Sequence, residues 1–230
     1  MTGSAAAHAD ESEDEVTSSL PARRSPLTVV LLAVVAVGLL LLGGGAAVAL
    51  GIGGSSDAPG AGSVDVGFSR DMATHHLQGV EMANLVADRS SDQAVRLLAF
   101  DISSTQTNQV GRMQGWLALW GDAPTGGDQM AWMNGTMHMH MVGGLMPGMA
   151  TEDELANLRS LSGTAFDIEF LRLMIRHHEG GLEMAQYAQA HGETDVVRSL
   201  AKSIAETQTA ETKTMTDMLT ERGGTPLPAP

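Results

Sequence analysis

Methionine and histidine are the residues of this chain best placed to do chemistry, because they recur together in one motif that occurs twice. The motif reads Met-x-x-His-His, followed by Gly, Glu, Met and Ala at fixed places. Its methionines and histidines are Met72, His75, His76 and Met82 in the first copy, and Met174, His177, His178 and Met184 in the second. Thioether sulfur is a soft metal ligand and imidazole is a borderline one, so the pattern indicates a soft-metal site, most readily for copper.

A second group of the same residue types lies between the two motifs. Seven methionines fall within residues 130–149. Five alternating residues form its centre: Met137, His138, Met139, His140 and Met141. Methionine also fills gaps in apolar cores, but here it stands among Gly and Asn rather than on a helical stripe. We interpret this segment as suited to capturing and exchanging copper, and either it or the paired histidines could supply the ligands.

Composition narrows the function classes. The chain has no cysteine, so a soft metal would have to be held by Met and His. Its formal charge of −14 argues against a nucleic-acid partner, because phosphate binding needs clustered cations. We find no Ser-His-Asp arrangement, phosphate loop or paired catalytic carboxylates, and we therefore predict no enzyme. Met72 stands where a carboxylate-bridged iron site would have Glu, which favours copper over iron.

The spacing of the motif residues is that of a helix. Asp65, Met72, His75, His76 and Met82 follow i, i+3, i+4, i+7 spacing and should face a core, whereas Glu81 should face solvent. The same pattern predicts helices from Asp65 to a break at 88–92, and over about 93–120, 151–161, 164–190 and 194–221. Thr151 and Glu154 have the form of a capping box at the start of the short helix.

The two motifs belong to a longer internal repeat that aligns without gaps at a constant offset of 102 residues. Duplication of a helical hairpin predicts an all-α, four-helix bundle over 65–221. The first hairpin would be 65–120, the Met-rich crossover with its short helix 121–163, and the second hairpin 164–221. In this bundle the histidines could bind metal or only pack. We predict that four polar side chains on the partner helices hydrogen-bond them: Gln106, Gln109, Gln208 and Glu211.

The N-terminal 64 residues do not share the helical repeat of the rest of the chain. Residues 1–26 are polar and acidic and are predicted to be a disordered cytoplasmic tail. Residues 27–52 carry no charge over more than the ~20 residues that span a bilayer, and Arg23 and Arg24 precede them. We predict a transmembrane helix or signal anchor here; the alternative is a signal peptide cleaved near 47–49. Residues 53–64 resemble a flexible linker, and 222–230 a disordered tail.

These motifs carry a resemblance to a known family. The pattern Asp-x-x-Phe-x-x-x-Met-x-x-His-His-x-x-Gly-x-x-Met-Ala, at 65–83 and 167–185, resembles the bacterial family called domain of unknown function 305, as does the segment 146–151. The resemblance covers about 65–221. It implies a ferritin-like four-helix bundle located outside the cytoplasm. Some members bind copper and support copper resistance, which implies that the paired histidines and the crossover Met and His residues are the ligands.

We therefore expect a single-pass, membrane-anchored protein whose bundle lies outside the cytoplasm and sequesters or delivers copper without chemical turnover. Its expected partners are a metal ion and, through residues 27–52, the membrane; no protein partner is indicated. Two alternatives stay open. The bundle could be a structural or protein-interaction module of the cell envelope with no metal, or a redox enzyme that uses the bound metal.

Overall fold

The computed structural model describes residues 58–133 and 143–228, and within these ranges the chain is helical with no β-sheet. Four long helices and one short helix are present, together with a 3-10 turn at Ala131–Met133. The helices are α1 (Val64–Arg89), α2 (Gln93–Trp120), α3 (Glu152–Ser160), α4 (Gly163–His191) and α5 (Asp195–Glu221). Their limits lie within one or two residues of those that the hydrophobic spacing predicts.

Four of the five described helices begin where the sequence provides a side-chain oxygen that accepts from free backbone N–H groups. Ser63, Asp92 and Thr194 each accept a hydrogen bond from the first turn of α1, α2 and α5. The predicted capping box of α3 is confirmed, because Thr151 accepts from the backbone of Glu154 while the Glu154 carboxylate accepts from the backbone of Thr151. Local sequence thus sets the helix starts.

The long helices pair as two hairpins, α1 with α2 and α4 with α5, and the hairpins meet mainly along α1 and α4. These two helices run antiparallel, since Asp65 at the start of α1 contacts Thr194 just beyond the end of α4. The predicted duplication is visible in the contacts. Arg70 donates to a carbonyl beyond α2, and Arg172, its counterpart in the repeat, donates to the equivalent carbonyl beyond α5, both at 3.1 Å.

The antiparallel arrangement places the two motifs side by side in the centre of the bundle. Met72 and Met184 belong to one buried apolar cluster, and Met82 and Met174 to another. The histidines of α1 lie between Met72 and Met82 in sequence, so they occupy a polar layer between the two clusters. Apolar burial on both sides holds this layer inside the protein.

Two side chains of α1 fix the crossover to the bundle. The Asp71 carboxylate accepts hydrogen bonds from the backbone N–H of Met130 at 2.7 Å and from the indole N–H of Trp132 at 2.8 Å. The Gln78 amide accepts from the backbone N–H of Ala150 at 2.7 Å and donates to its carbonyl at 2.9 Å. The alternating Met and His residues at 137–141 lie outside the described residues, between these two attachments.

The predicted membrane segment at 27–52 also lies outside the described residues. Within 58–133 and 143–228, no helix combines the length and apolar character needed to cross a bilayer.

Candidate metal centre

The four motif histidines lie close together and are all buried. The rings of His75 and His177 are in face contact, with centroids 3.9 Å apart and planes inclined by 32°. The ring of His76 is 6.4 Å from that of His75, and the ring of His178 is 6.3 Å from that of His177. Helix packing therefore unites two sequence motifs, 102 residues apart, into one row of four imidazoles.

The outer histidines are held by the partner helices. His76 Nε2 is 2.7 Å from Gln109 Oε1, and His178 Nε2 is 2.7 Å from Glu211 Oε2. Amide and carboxylate oxygens accept hydrogen bonds, so each imidazole donates its Nε2 proton. The prediction that Gln109 and Glu211 orient the histidines is confirmed. The two pairs are counterparts in the repeat, but one acceptor is a neutral amide and the other is a carboxylate.

The inner histidines depart from the symmetry of the repeat. His177 Nε2 donates to the backbone carbonyl of His75 at 3.0 Å, whereas His75 Nε2 donates to the carbonyl of Pro147 in the crossover, also at 3.0 Å. Gly180 makes this possible, because a Cβ at that position would collide with the Pro147 carbonyl. The repeat places Gln78 at the position equivalent to Gly180, so only α4 leaves room here for the crossover backbone to approach this closely.

These hydrogen bonds leave the other ring nitrogen of each histidine with its lone pair. All four Nδ1 atoms are buried and have no hydrogen-bond partner. Buried polar atoms are satisfied in the great majority of cases, so four adjacent exceptions require an explanation. A metal-binding histidine donates its second N–H to a carboxylate or carbonyl in the same way. Each imidazole of the row therefore keeps an unprotonated Nδ1 of the kind that can ligate a metal ion.

Burial keeps most of this row uncharged. Removal from water lowers the pKa of His75 to about 4 and that of His76 to about 3. The pKa of His177 lies well below its ordinary value, first because of burial and then because of the neighbouring histidines. At neutral pH these three rings are neutral, so a proton does not compete with a metal for their nitrogens.

The repeated motif glycines make room for two buried amides beside the histidines. A Cβ at Gly79 would collide with Gln106 Oε1, and a Cβ at Gly181 would lie 2.7 Å from Gln208 Nε2. Gln106 Oε1 has no hydrogen-bond partner, and neither does Nε2 or Oε1 of Gln208. The prediction that Gln208 hydrogen-bonds a histidine is therefore wrong. These amides contribute further unpartnered polar atoms next to the imidazole row.

The four motif methionines are fully buried, in the apolar clusters on either side of the row. Their thioethers thus pack as core groups in this arrangement. In the ranges 58–133 and 143–228, no three His, Asp or Glu side chains converge closely enough to hold a metal ion. A metal ion at the row would need a thioether or amide donor, or a ligand from the crossover.

Two acidic residues of the motif helix have other roles. The Asp65 carboxylate accepts from the backbone N–H groups of Glu193 at 2.6 Å and Thr194 at 2.8 Å, so this buried group joins α1 to the start of α5. Asp65 thus faces the bundle as predicted, but it serves a helix terminus rather than the row. Glu81 is solvent-exposed, as predicted, and pairs with Arg159 of α3.

Sequence reasoning missed the residues that attach the crossover: Asp71, Gln78, Pro147 and Gly180. The repeat carries a signal for three of them, since Asp71 is replaced by Leu173 and Gln78 by Gly180 in the second copy. Departures from an otherwise regular duplication mark positions where the crossover contacts only one hairpin.

A bundle made from two copies of one helical hairpin, with a buried row of histidines where the copies meet, defines the class of this protein. The chain belongs to the family described as "Domain of unknown function (DUF305)", whose sequence model matches residues 65–219.

Solved structures show the same fold. One, described as a putative secreted DUF305 protein from Streptomyces coelicolor, is 42% identical, covers 73% of this chain and 99% of its own, and superposes with a TM-score of 0.67. A DUF305 fragment from Deinococcus radiodurans is 33% identical, with 69% and 96% coverage and a TM-score of 0.58. CopM in its Cu(II)-bound form is 26% identical, with 69% and 97% coverage and a TM-score of 0.55. A comparison with curated protein sequences found no match.

Proposed function

We propose that this chain is an extracytoplasmic, membrane-anchored copper-binding protein that sequesters or delivers the ion through Met and His ligands without chemical turnover. The observation that carries the proposal is the row of four buried imidazoles, each oriented by a donated Nε2 proton and each left with an unpartnered Nδ1. The similarity to CopM, solved with Cu(II) bound, supports copper as the ion.

The donor chemistry of the row suits copper better than manganese or magnesium. Its oriented nitrogens are imidazoles, with thioethers packed in the adjoining layers, whereas magnesium and manganese prefer carboxylate and water oxygens. The alternating Met and His residues at 137–141 are a second source of the same donors. We propose that they capture copper and pass it to the row, because the crossover is anchored on the helices that carry the histidines.

The test compares copper binding by variants of the full chain in mild detergent, measured by equilibrium dialysis with Cu(I) and with Cu(II). Replacing His76 and His178 by Gln keeps an N–H donor for the partner helices and removes two Nδ1 atoms. A second variant replaces Met137, His138, Met139, His140 and Met141 by Ser. Loss of oriented ligands should weaken binding by at least about tenfold.

The matched control is His191→Gln, because His191 is exposed at the end of α4 and lies outside the motif. It should bind copper as the wild type does. If only the His76→Gln, His178→Gln variant binds copper more weakly, the ligands belong to the row. If only the variant with serine at 137–141 binds copper more weakly, the ligands belong to that segment. Equal copper affinity in all four proteins would refute the proposal.

A second candidate function is a structural or protein-interaction bundle of the cell envelope that holds no metal. It is favoured by the full burial of Met72, Met82, Met174 and Met184 in apolar clusters, where thioethers stabilise the core without any ion. This function predicts that copper leaves the melting temperature of the wild type unchanged. A metal-dependent rise that is absent from the His76→Gln, His178→Gln variant would exclude it.

The cellular placement is part of the proposal: a ferritin-like bundle follows one transmembrane helix at 27–52, with the N-terminus in the cytoplasm. It rests on the uncharged stretch after Arg23 and Arg24. In intact spheroplasts, externally added protease should digest the bundle and leave a reporter fused to the N-terminus protected. Protection of the bundle would contradict this orientation.

A further inference from the structure

The solvent-facing side of α2 differs sharply from the equivalent side of α5, although the two helices are counterparts in the repeat. We call it the outer face of α2 and define it by Leu97, Phe100, Ser104, Asn108, Gly111, Gly115 and Leu119, all exposed. At five of these positions α5 has a charged residue instead: Lys202, Glu206, Lys213, Asp217 and Glu221. The duplication thus supplies an internal reference for an ordinary solvated face.

The face on α5 is typical of a helix side in water. Lys202 pairs with Glu206, and Lys213 pairs with Asp217, each one turn apart. The outer face of α2 instead exposes 69% of Phe100 and 82% of Leu119. Clustered exposed apolar residues on one helix side, where the duplicate helix is charged, indicate a surface that contacts a partner.

Two glycines on the same face support this reading independently. Gly111 and Gly115 lie inside α2, where glycine costs about 1 kcal/mol relative to alanine. A Cβ at either position would have no atom of the described residues within 4 Å. Packing within the described bundle therefore gives no reason for glycine here. Close approach of another helix backbone from outside does give one.

We propose that the outer face of α2 is a homodimer interface, in which the α2 helices of two copies pack antiparallel across a two-fold axis midway between Ser104 and Asn108. The face is self-complementary in size. Leu97 and Phe100 lie towards one end, and Gly111 and Gly115 lie towards the other, followed by Leu119. About this axis the antiparallel arrangement sets Leu97 against Gly115 of the other copy and Phe100 close to its Gly111.

Charge complementarity favours a second copy as the occupant. Asp101 and Arg112 lie along the edge of the outer face, five and six residues on either side of the point midway between Ser104 and Asn108, and both are exposed. Antiparallel packing brings each Asp101 opposite the Arg112 of the other copy, which makes two equivalent ion pairs. A parallel arrangement would place these side chains on opposite sides of the seam, where they form no such pair. Opposite charges thus select the orientation.

The dimer should be weak. Twenty-eight residues of α2 span about 42 Å at ~1.5 Å per residue. A single helix-to-helix contact of that length buries about 1,000 Å², at the low end of specific interfaces. We therefore expect a concentration-dependent dimer with a Kd on the order of micromolar.

The chain has no cysteine, so single introduced cysteines report contacts cleanly. Asn108→Cys, near the axis, should form a disulfide-linked dimer of doubled mass when the full chain is oxidised in mild detergent. The matched control is Ala210→Cys, the repeat counterpart on α5, which is also exposed. We expect at least fivefold more dimer from Asn108→Cys. A mixture of Leu97→Cys and Gly115→Cys should cross-link more than either variant alone.

A double variant tests the interface without a cross-link. Gly111→Lys with Gly115→Asp installs the residues that α5 has at the same positions, and both sites have room for them. Sedimentation should show loss of the dimer, while circular dichroism shows unchanged helix content. The proposal is overturned if Asn108→Cys cross-links no better than Ala210→Cys, or if the double variant still dimerises. It is also overturned if the cysteine of Asn108→Cys forms a disulfide only with a different protein. The same holds if lipid vesicles, and not a second copy of the chain, protect this cysteine from reaction with maleimide.

Discussion

Acidification should destabilise the bundle between pH 7 and 5, mainly through three buried histidines. Burial lowers the folded-state pKa of His75 to about 4, that of His76 to about 3 and that of His177 well below its ordinary value. The unfolded chain therefore binds protons in this range that the folded chain does not. The stabilisation is complete above the unfolded-state pKa of about 6.5 and is lost as the pH falls towards the folded-state values.

The size of the effect follows from these values. At pH 5, protonation stabilises an unfolded histidine by about 2 kcal/mol, against about 0.2 kcal/mol at pH 7. Three histidines that stay neutral in the fold lower the free energy of unfolding by about 5 kcal/mol over this range. That is a large share of the total of about 5–15 kcal/mol typical of a protein domain.

Four carboxyl groups in the described parts of the chain also have shifted pKa values. The Arg176 guanidinium holds the pKa of Glu154 at about 2, so its contribution is lost only below the ordinary carboxyl range of about 4.3; a hydrogen bond from Arg222 lowers the pKa of Asp92. Burial raises the pKa of Asp71 and that of Glu179, which has the opposite sign and offsets part of the stability lost through the histidines. Comparison of the wild type with His76→Gln at each pH therefore isolates a histidine contribution.

The assay is urea unfolding of the full chain in mild detergent with a metal chelator, followed by far-ultraviolet circular dichroism at pH 7, 6 and 5. His76→Gln keeps a donor towards Gln109 but does not titrate, so its loss of stability should be smaller than that of the wild type by about 2 kcal/mol. The exposed His191→Gln should behave as the wild type. A wild-type change below about 1 kcal/mol would refute the reasoning, and so would equal pH dependence in wild type and His76→Gln.

Four further substitutions test the packing and the histidine row. Gly180→Ala should lower the free energy of unfolding by about 2 kcal/mol or more, because its methyl group collides with a crossover carbonyl. Gly111→Ala, at an open site within a helix, should raise the free energy of unfolding by about 0.5–1 kcal/mol in the same urea titration. Asp65→Ala should cost about 2–4 kcal/mol by removing the buried acceptor at the start of α5, with faster hydrogen exchange in the first turn of that helix. Glu211→Gln should weaken copper binding about tenfold in equilibrium dialysis. The Glu211 carboxylate accepts a hydrogen bond from His178, and a carboxylate acceptor makes an imidazole a better metal ligand. Unchanged copper affinity would place His178 outside the copper site.

The helices and their pairing were accessible from the sequence because both depend on local or periodic information. Helix limits follow from the apolar spacing and from capping residues such as Thr151, which act within one turn. The gapless repeat indicated two copies of one hairpin, and the shared stripe placed Asp65, Met72 and His75 towards the core. These features need no knowledge of which helix lies opposite.

Contacts between distant segments were decided only by the tertiary structure. The sequence placed Asp65 on the core stripe, but only packing shows that its carboxylate joins the start of α5. The Pro147 carbonyl reaches His75 because Gly180, on a third segment, leaves room for it. Three separate parts of the chain must come together for this contact, and the periodic spacing of residues within one helix carries no information about which segments do so.

The sequence by itself therefore determined that two Met-x-x-His-His motifs occupy equivalent core positions of a duplicated helical hairpin. Tertiary packing decided that His75 and His177 are in face contact, which nitrogen of each ring donates, and that the motif methionines lie in apolar layers on either side. The physical reason is that helical periodicity fixes the face of a residue. The distance and direction to a partner depend on how two faces from opposite ends of the chain come together.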